Sequence, residues 1–81
     1  MSTTQQRDAG TEYEASVAAS IRARASARNV RPETLADALG LSVEAVNRRM
    51  REQTPWTLAD LARIAPVFEV EPADLARPVA L

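Results

Sequence analysis

Apolar residues recur with a helical period along most of the chain. Tyr13, Val17 and Ile21 repeat every four residues, with Ala18 and Ala25 widening the stripe, and side chains at that spacing share one helix face. Thr11-Glu12-Tyr13-Glu14 has the form of a capping box, threonine as N-cap and glutamate three positions on. The pattern predicts a helix from there to about Arg28. Pro32 suits the first turn of a second helix, where a missing N–H costs nothing. Leu35, Ala36 and Leu39 face inward, and Gly40, which accepts a left-handed backbone, ends that segment. Ser42 is a good N-cap for a third helix reaching about Glu52, with Ala45, Val46 and Met50 on or near its buried side.

Gln53-Thr54-Pro55 reads as a connector, and Thr57 with Asp60 resembles another capping box. The fourth helix it opens carries Leu58, Leu61, Ile64 and Ala65. Pro66 leaves two outcomes: the helix stops near Ala65, or it continues with a kink toward Phe68. Pro72 opens a short fifth helix through Leu75, and Pro78 stops it. No segment alternates with the period of a strand. The expectation is an all-α, compact five-helix domain over 11–78. A polar, aperiodic lead-in at 1–10 is expected to be disordered, and 79–81 to be a tail.

Composition narrows the chemistry. The 81 residues include no cysteine and no histidine, and all ten basic residues are arginine. Disulfides, the usual zinc ligands, the commonest general base and a lysine nucleophile are thereby excluded. We expect no enzyme activity, no catalytic residue, no cofactor and no metal, since a small convex helical domain rarely forms a catalytic pocket. No apolar run approaches the ~18–20 residues that span a membrane, and Met1 to Gly10 has no apolar signal core. A cytoplasmic location and no small-molecule ligand are expected.

A net charge of -1 argues against a nucleic-acid partner only as a total. From Ile21 to Arg51 there are seven arginines against Glu33, Asp37 and Glu44, a local charge of +4. Residues 1–20 carry -2 and residues 52–81 carry -3. Arg22, Arg24, Arg28 and Arg31 are placed to flank a nucleic-acid backbone, although not all can face one way.

The segment PETLADALGLSVEAVNRRMR, Pro32 to Arg51, joins two short helices by Gly40-Leu41-Ser42. That turn is too short for antiparallel helices, and small Ala36 lets the second helix approach closely. Leu35, Leu39, Leu41 and Val46 would form the wedge fixing the crossing angle. This is the logic of a helix-turn-helix. Here the chain resembles the phage-repressor-like regulators of the Cro and lambda-repressor type, over about Val17 to Leu75. The run LADLARIAPVFEVEPADL is similar to that family's fourth and fifth helices. NRRMREQTPWTLADL is similar to a subset common in actinobacteria and their phages. Arg49 stands where the family is usually apolar, and Glu52 where it often has glycine.

On a helical wheel Val43, Asn47 and Arg51 lie within about 80° of one another, and Glu44 and Arg48 extend that face to about 140°. The resemblance implies that this helix enters the major groove of double-stranded DNA. Arg48 then suits guanine, Asn47 adenine or a phosphate, Glu44 a cytosine amino group and Val43 a thymine methyl. Ser42, Thr34, Arg31 and Arg51 are the candidates for phosphate oxygens. A solvated helix face with an i,i+4 pair between Glu44 and Arg48 is the plainer alternative. Arg49 falls on the protein side, either covering the core edge with its guanidinium on Glu33 or Asp37, or reaching a phosphate. Trp56 reads as packing against the core, with an interface anchor as the alternative.

The resulting expectation is a sequence-specific transcriptional regulator, a repressor that occludes a promoter as a homodimer. The resemblance implies the fifth helix and the Pro78-Val79-Ala80-Leu81 tail as candidate dimer surfaces. The alternative is a protein-interaction module on the same fold, an antitoxin or a phage-encoded adaptor, using the acidic C-terminal third and exposed apolar residues such as Trp56 or Leu81.

Overall fold

A computed structural model describes residues 8–77. Four α-helices are present: α1 Ala9–Arg28, α2 Pro32–Leu39, α3 Val43–Met50 and α4 Leu58–Phe68. A 3-10 helix, Pro72–Ala76, follows them. Among the described residues there is no strand.

Most helix boundaries follow from local chemistry. Pro32 occupies the first turn of α2, and Gly40 ends it at φ 69. A Cβ added at Gly40 would meet nothing within 4 Å, so glycine serves there for its left-handed backbone rather than for space. Ser42 Oγ accepts from the Ala45 N–H at 3.1 Å and caps α3. At α4, Thr57 Oγ1 accepts from the Asp60 N–H and Asp60 Oδ2 accepts from the Thr57 N–H, both at 3.0 Å. That reciprocal box satisfies two orphan donors.

Three boundaries differ from the sequence reading, and a fourth decides between the two outcomes it left open. Helix α1 begins at Ala9, with Asp8 rather than Thr11 as N-cap: Asp8 Oδ1 accepts from the Thr11 N–H at 2.7 Å. Asp8 and Thr11 are both good capping residues, so the sequence signal was double. Residues 1–7 of the expected lead-in, and the tail from Pro78 on, lie outside the described residues. Helix α3 stops at Met50, two residues before Glu52, because Glu52 takes φ 65 and turns the chain. Helix α4 continues through Pro66 to Phe68. Pro66 and Ala62, whose carbonyl loses its i→i−4 donor, are both exposed, so water can replace the missing bond. The expected fifth α-helix is instead a 3-10 turn, since the few residues after Pro72 close as i→i+3 bonds.

Each element delivers side chains to one core. Ile21 of α1, Leu35 of α2, Val46 of α3, Ile64 and Phe68 of α4 and Leu75 of the 3-10 helix are all fully buried. Helix α2 packs on α3 and α4, and the 3-10 helix bridges α1 and α4. Complete burial of such side chains contributes about 1.5–3 kcal/mol each. Trp56, from the α3–α4 connector, joins this core, and its buried Nε1 has no hydrogen-bond partner. Leu41 does not form part of the wedge; it is exposed in the turn, and Leu35, Leu39 and Val46 pack without it. Tyr13 and Leu58 also lie outside the core, at 56% and 82% exposure. No helix among the described residues is long and apolar enough to cross a membrane.

Candidate nucleic-acid interface

Helix α3 is eight residues long, and its inner side is taken up by the fully buried Val46. Its outer side carries Glu44, Asn47, Arg48 and Arg51. Together with Gln53 these line an open polar depression of ≈ 350 Å³. Glu44, Arg48 and Arg51 are exposed, and Asn47 is half-buried. The i,i+4 pair between Glu44 and Arg48 is not formed: the ion pairs among the described residues all involve other arginines. Both side chains are therefore turned outward with their polar groups unspent.

The remaining residues expected at this surface are placed differently. Val43 is half-buried and packs against the core, which leaves only part of its side chain to face outward. Ser42 is exposed and uses an oxygen lone pair to cap α3; its hydroxyl proton is still available to an acceptor. Arg31, at the N-cap of α2, and Thr34, in its first turn, are exposed. These four residues lie outside the lining of the depression.

Gln53 was not anticipated from the sequence. It follows the helix, so periodicity says nothing about it. The left-handed Glu52 places it: the Gln53 N–H donates to the Arg48 carbonyl at 2.8 Å, a backbone return that closes the helix end. Glutamate has no special tolerance for that conformation, which costs on the order of 1 kcal/mol relative to glycine. The signal that could have found it was the glycine that the resembled repressor-type regulators often carry where this chain has Glu52.

The arginines of α1, expected to flank a nucleic-acid backbone, each make contacts within the fold. Arg22 donates to the Met50 carbonyl at 3.0 Å and pairs with Glu52 at 3.1 Å. Arg24 donates to Ser20 Oγ at 3.3 Å and to the Asp74 carbonyl at 3.1 Å. Arg28 donates to the Phe68 carbonyl and pairs with Glu69 at 3.4 Å. Met50 and Phe68 are the last residues of α3 and α4, where carbonyls lack intrahelical donors and the helix dipole is negative. One helix thus caps the C-terminal ends of two others.

Arg49 is also spent internally, but on neither Glu33 nor Asp37. Its Nε donates to Asp60 Oδ2 at 2.9 Å and its Nη1 to the Ala45 carbonyl at 3.2 Å. Arg49 and Asp60 are both largely buried. Burial pushes the Asp60 carboxyl up, but the Thr57 N–H, the Arg49 guanidinium and the Thr57 hydroxyl outweigh it and hold the group below its ordinary value. This pair fixes α3 against the start of α4. Of the seven arginines from Ile21 to Arg51, only Arg31, Arg48 and Arg51 have no side-chain partner among the described residues.

The described residues form an all-helical domain with a polar, arginine-bearing outer helix face. A family profile, the BetR domain, matches residues 12–78, and the chain belongs to that family of small helical, DNA-binding-like regulatory domains. No curated protein and no solved structure matches the chain.

Proposed function

We propose that the protein is a sequence-specific DNA-binding transcriptional regulator in which α2, the Gly40–Ser42 turn and α3 act as a helix-turn-helix. The observation that carries this reading is the division among the arginines. Those of α1 and Arg49 are consumed by the fold, whereas Arg48 and Arg51 stand unpaired beside Asn47 and Glu44 on one exposed helix face. Bidentate donors and acceptors on such a face suit base edges in the major groove. In this reading Arg48 reads guanine, Asn47 adenine and Glu44 a cytosine amino group. The exposed part of Val43 touches a thymine methyl. Arg31, Thr34, Ser42 and Arg51 hold phosphates. Likeness to the phage-repressor-type regulators supports repression by occlusion.

One eight-residue reading helix supplies few contacts, so the reading includes a homodimer on a near-palindromic site, with half-sites about 34 Å apart. Tyr13 and Leu58, exposed at a groove formed with Leu61, Pro72, Ala73 and Ala76, offer apolar area for self-association. Selection of bound duplexes from a random DNA pool tests the whole proposal. Enrichment of a dyad motif is the expected result. Failure to enrich any motif at low salt overturns it in favour of a protein-interaction module.

A further inference from the structure

The end of α3 sends two adjacent side chains to opposite sides. Glu52, left-handed at φ 65, points toward α1: it pairs with Arg22 and lines a small cavity with Thr11, Glu14, Arg49 and Trp56. Gln53 turns the other way, into the depression shared by Asn47, Arg48 and Arg51. Arg22 fixes this divergence with a single guanidinium nitrogen, which bonds both the Met50 carbonyl and the Glu52 carboxylate. Without that tether, a carboxylate one residue from Gln53 and Arg51 would be free to swing beside them. An anion there opposes the binding of a polyanion.

We propose that Arg22 is a positioning residue for the α3 surface: it withholds the Glu52 carboxylate from that surface and holds Gln53 on it. The inference rests on the DNA-binding reading. It differs from the earlier expectation that Arg22 touches the nucleic-acid backbone, because Arg22 here acts through Glu52. It also makes Gln53 a fifth residue of the reading surface.

A double-mutant cycle on the enriched duplex tests it, using Arg22→Ala, Glu52→Gln and the pair, with helix content checked by circular dichroism. Arg22→Ala is expected to weaken binding roughly three- to fivefold, the scale of one exposed charge pair. The slope of log K against log salt should shift by clearly less than about 0.9, since salt screens the freed carboxylate but no phosphate contact is lost. In the Glu52→Gln background the loss should shrink below about twofold. An equal loss in both backgrounds overturns the proposal, as does a slope reduced by about 0.9, the mark of a direct phosphate contact. Glu52→Gln alone provides the same test should Arg22→Ala not fold: binding as tight as wild type or tighter is expected, and weaker binding overturns the proposal. Arg48→Ala separates the two levels. If it weakens binding while Arg22→Ala changes nothing, the inference alone fails; if the wild-type chain binds no DNA, both fail.

Discussion

Helices α1 and α3 each carry arginines at close spacing, yet the two sets do opposite work. Arg22, Arg24 and Arg28 of α1 lie alongside the C-terminal end of α3, the 3-10 helix and the C-terminal end of α4. Each meets a carbonyl, and two of them meet a glutamate as well. Arg48 on α3 and Arg51 at its C-cap face outward and make no ion pair among the described residues. Arg49 sits between those two in sequence but on the inner side, and it is the most buried of the ion-paired arginines among the described residues. The comparison teaches that a local charge of +4 is not an accessible charge of +4. What a partner can use depends on which guanidinium groups the fold has already occupied.

Removing Arg49 should produce the largest effect. Arg49→Ala leaves Asp60 buried without its counter-charge, and losing one partner of a buried pair costs about 3–5 kcal/mol. For a domain this small that is most of the stability, so urea or thermal denaturation should show near-complete unfolding at moderate conditions. A stability change under about 1 kcal/mol would mean that Arg49 is not the structural member of the set.

The mirror case is Arg48→Ala. Denaturation should be unaffected within about 0.5 kcal/mol, because the side chain is exposed and bonds nothing in the fold. Binding to the enriched duplex should fall by about 1–3 kcal/mol, with discrimination lost at one base pair. A uniform loss across all sequences would reassign Arg48 to the phosphates.

Acidification gives the smallest and most selective test. The folded Asp60 carboxyl titrates below its unfolded value of about 3.9. Its contribution to stability is therefore present above that value and disappears as pH falls through the folded pKa. Asp60→Asn should be less stable at neutral pH and should lose less stability than wild type between about pH 4 and pH 2, measured by urea midpoints. Arg48→Ala should leave the acid limb unchanged. If Asp60→Asn follows the wild-type curve, the Asp60 carboxylate does not fasten α3 to α4.

The helix framework was legible because its signals are local. Pro32, Gly40, Ser42 and the Thr57–Asp60 box act within three or four residues, so their chemistry is visible in the chain itself. The start of α1 was misplaced because Asp8 and Thr11 offer rival caps and only Asp8 is used. The end of α3 was misplaced, and that of α4 left open, for a different reason. Glu52 and Glu69 both adopt left-handed backbones that composition does not advertise, and both are held by arginines of α1. The outer face of α3 was largely visible on a helical wheel, apart from Val43, which the wheel left outside and the core partly claims.

By itself, the sequence determined an all-helical chain, the span of its central helices and the absence of cysteine and histidine chemistry. These follow from periodicity, capping and residue inventory, none of which needs a neighbour distant in the chain. Only the tertiary structure decided which arginines remain available. Arg22 meets Glu52 thirty residues away, and Arg28 meets the Phe68 carbonyl forty residues away. No local rule contains those distances; they arise because packing the core brings α1 against the carbonyl ends of its neighbours, where a guanidinium is favoured.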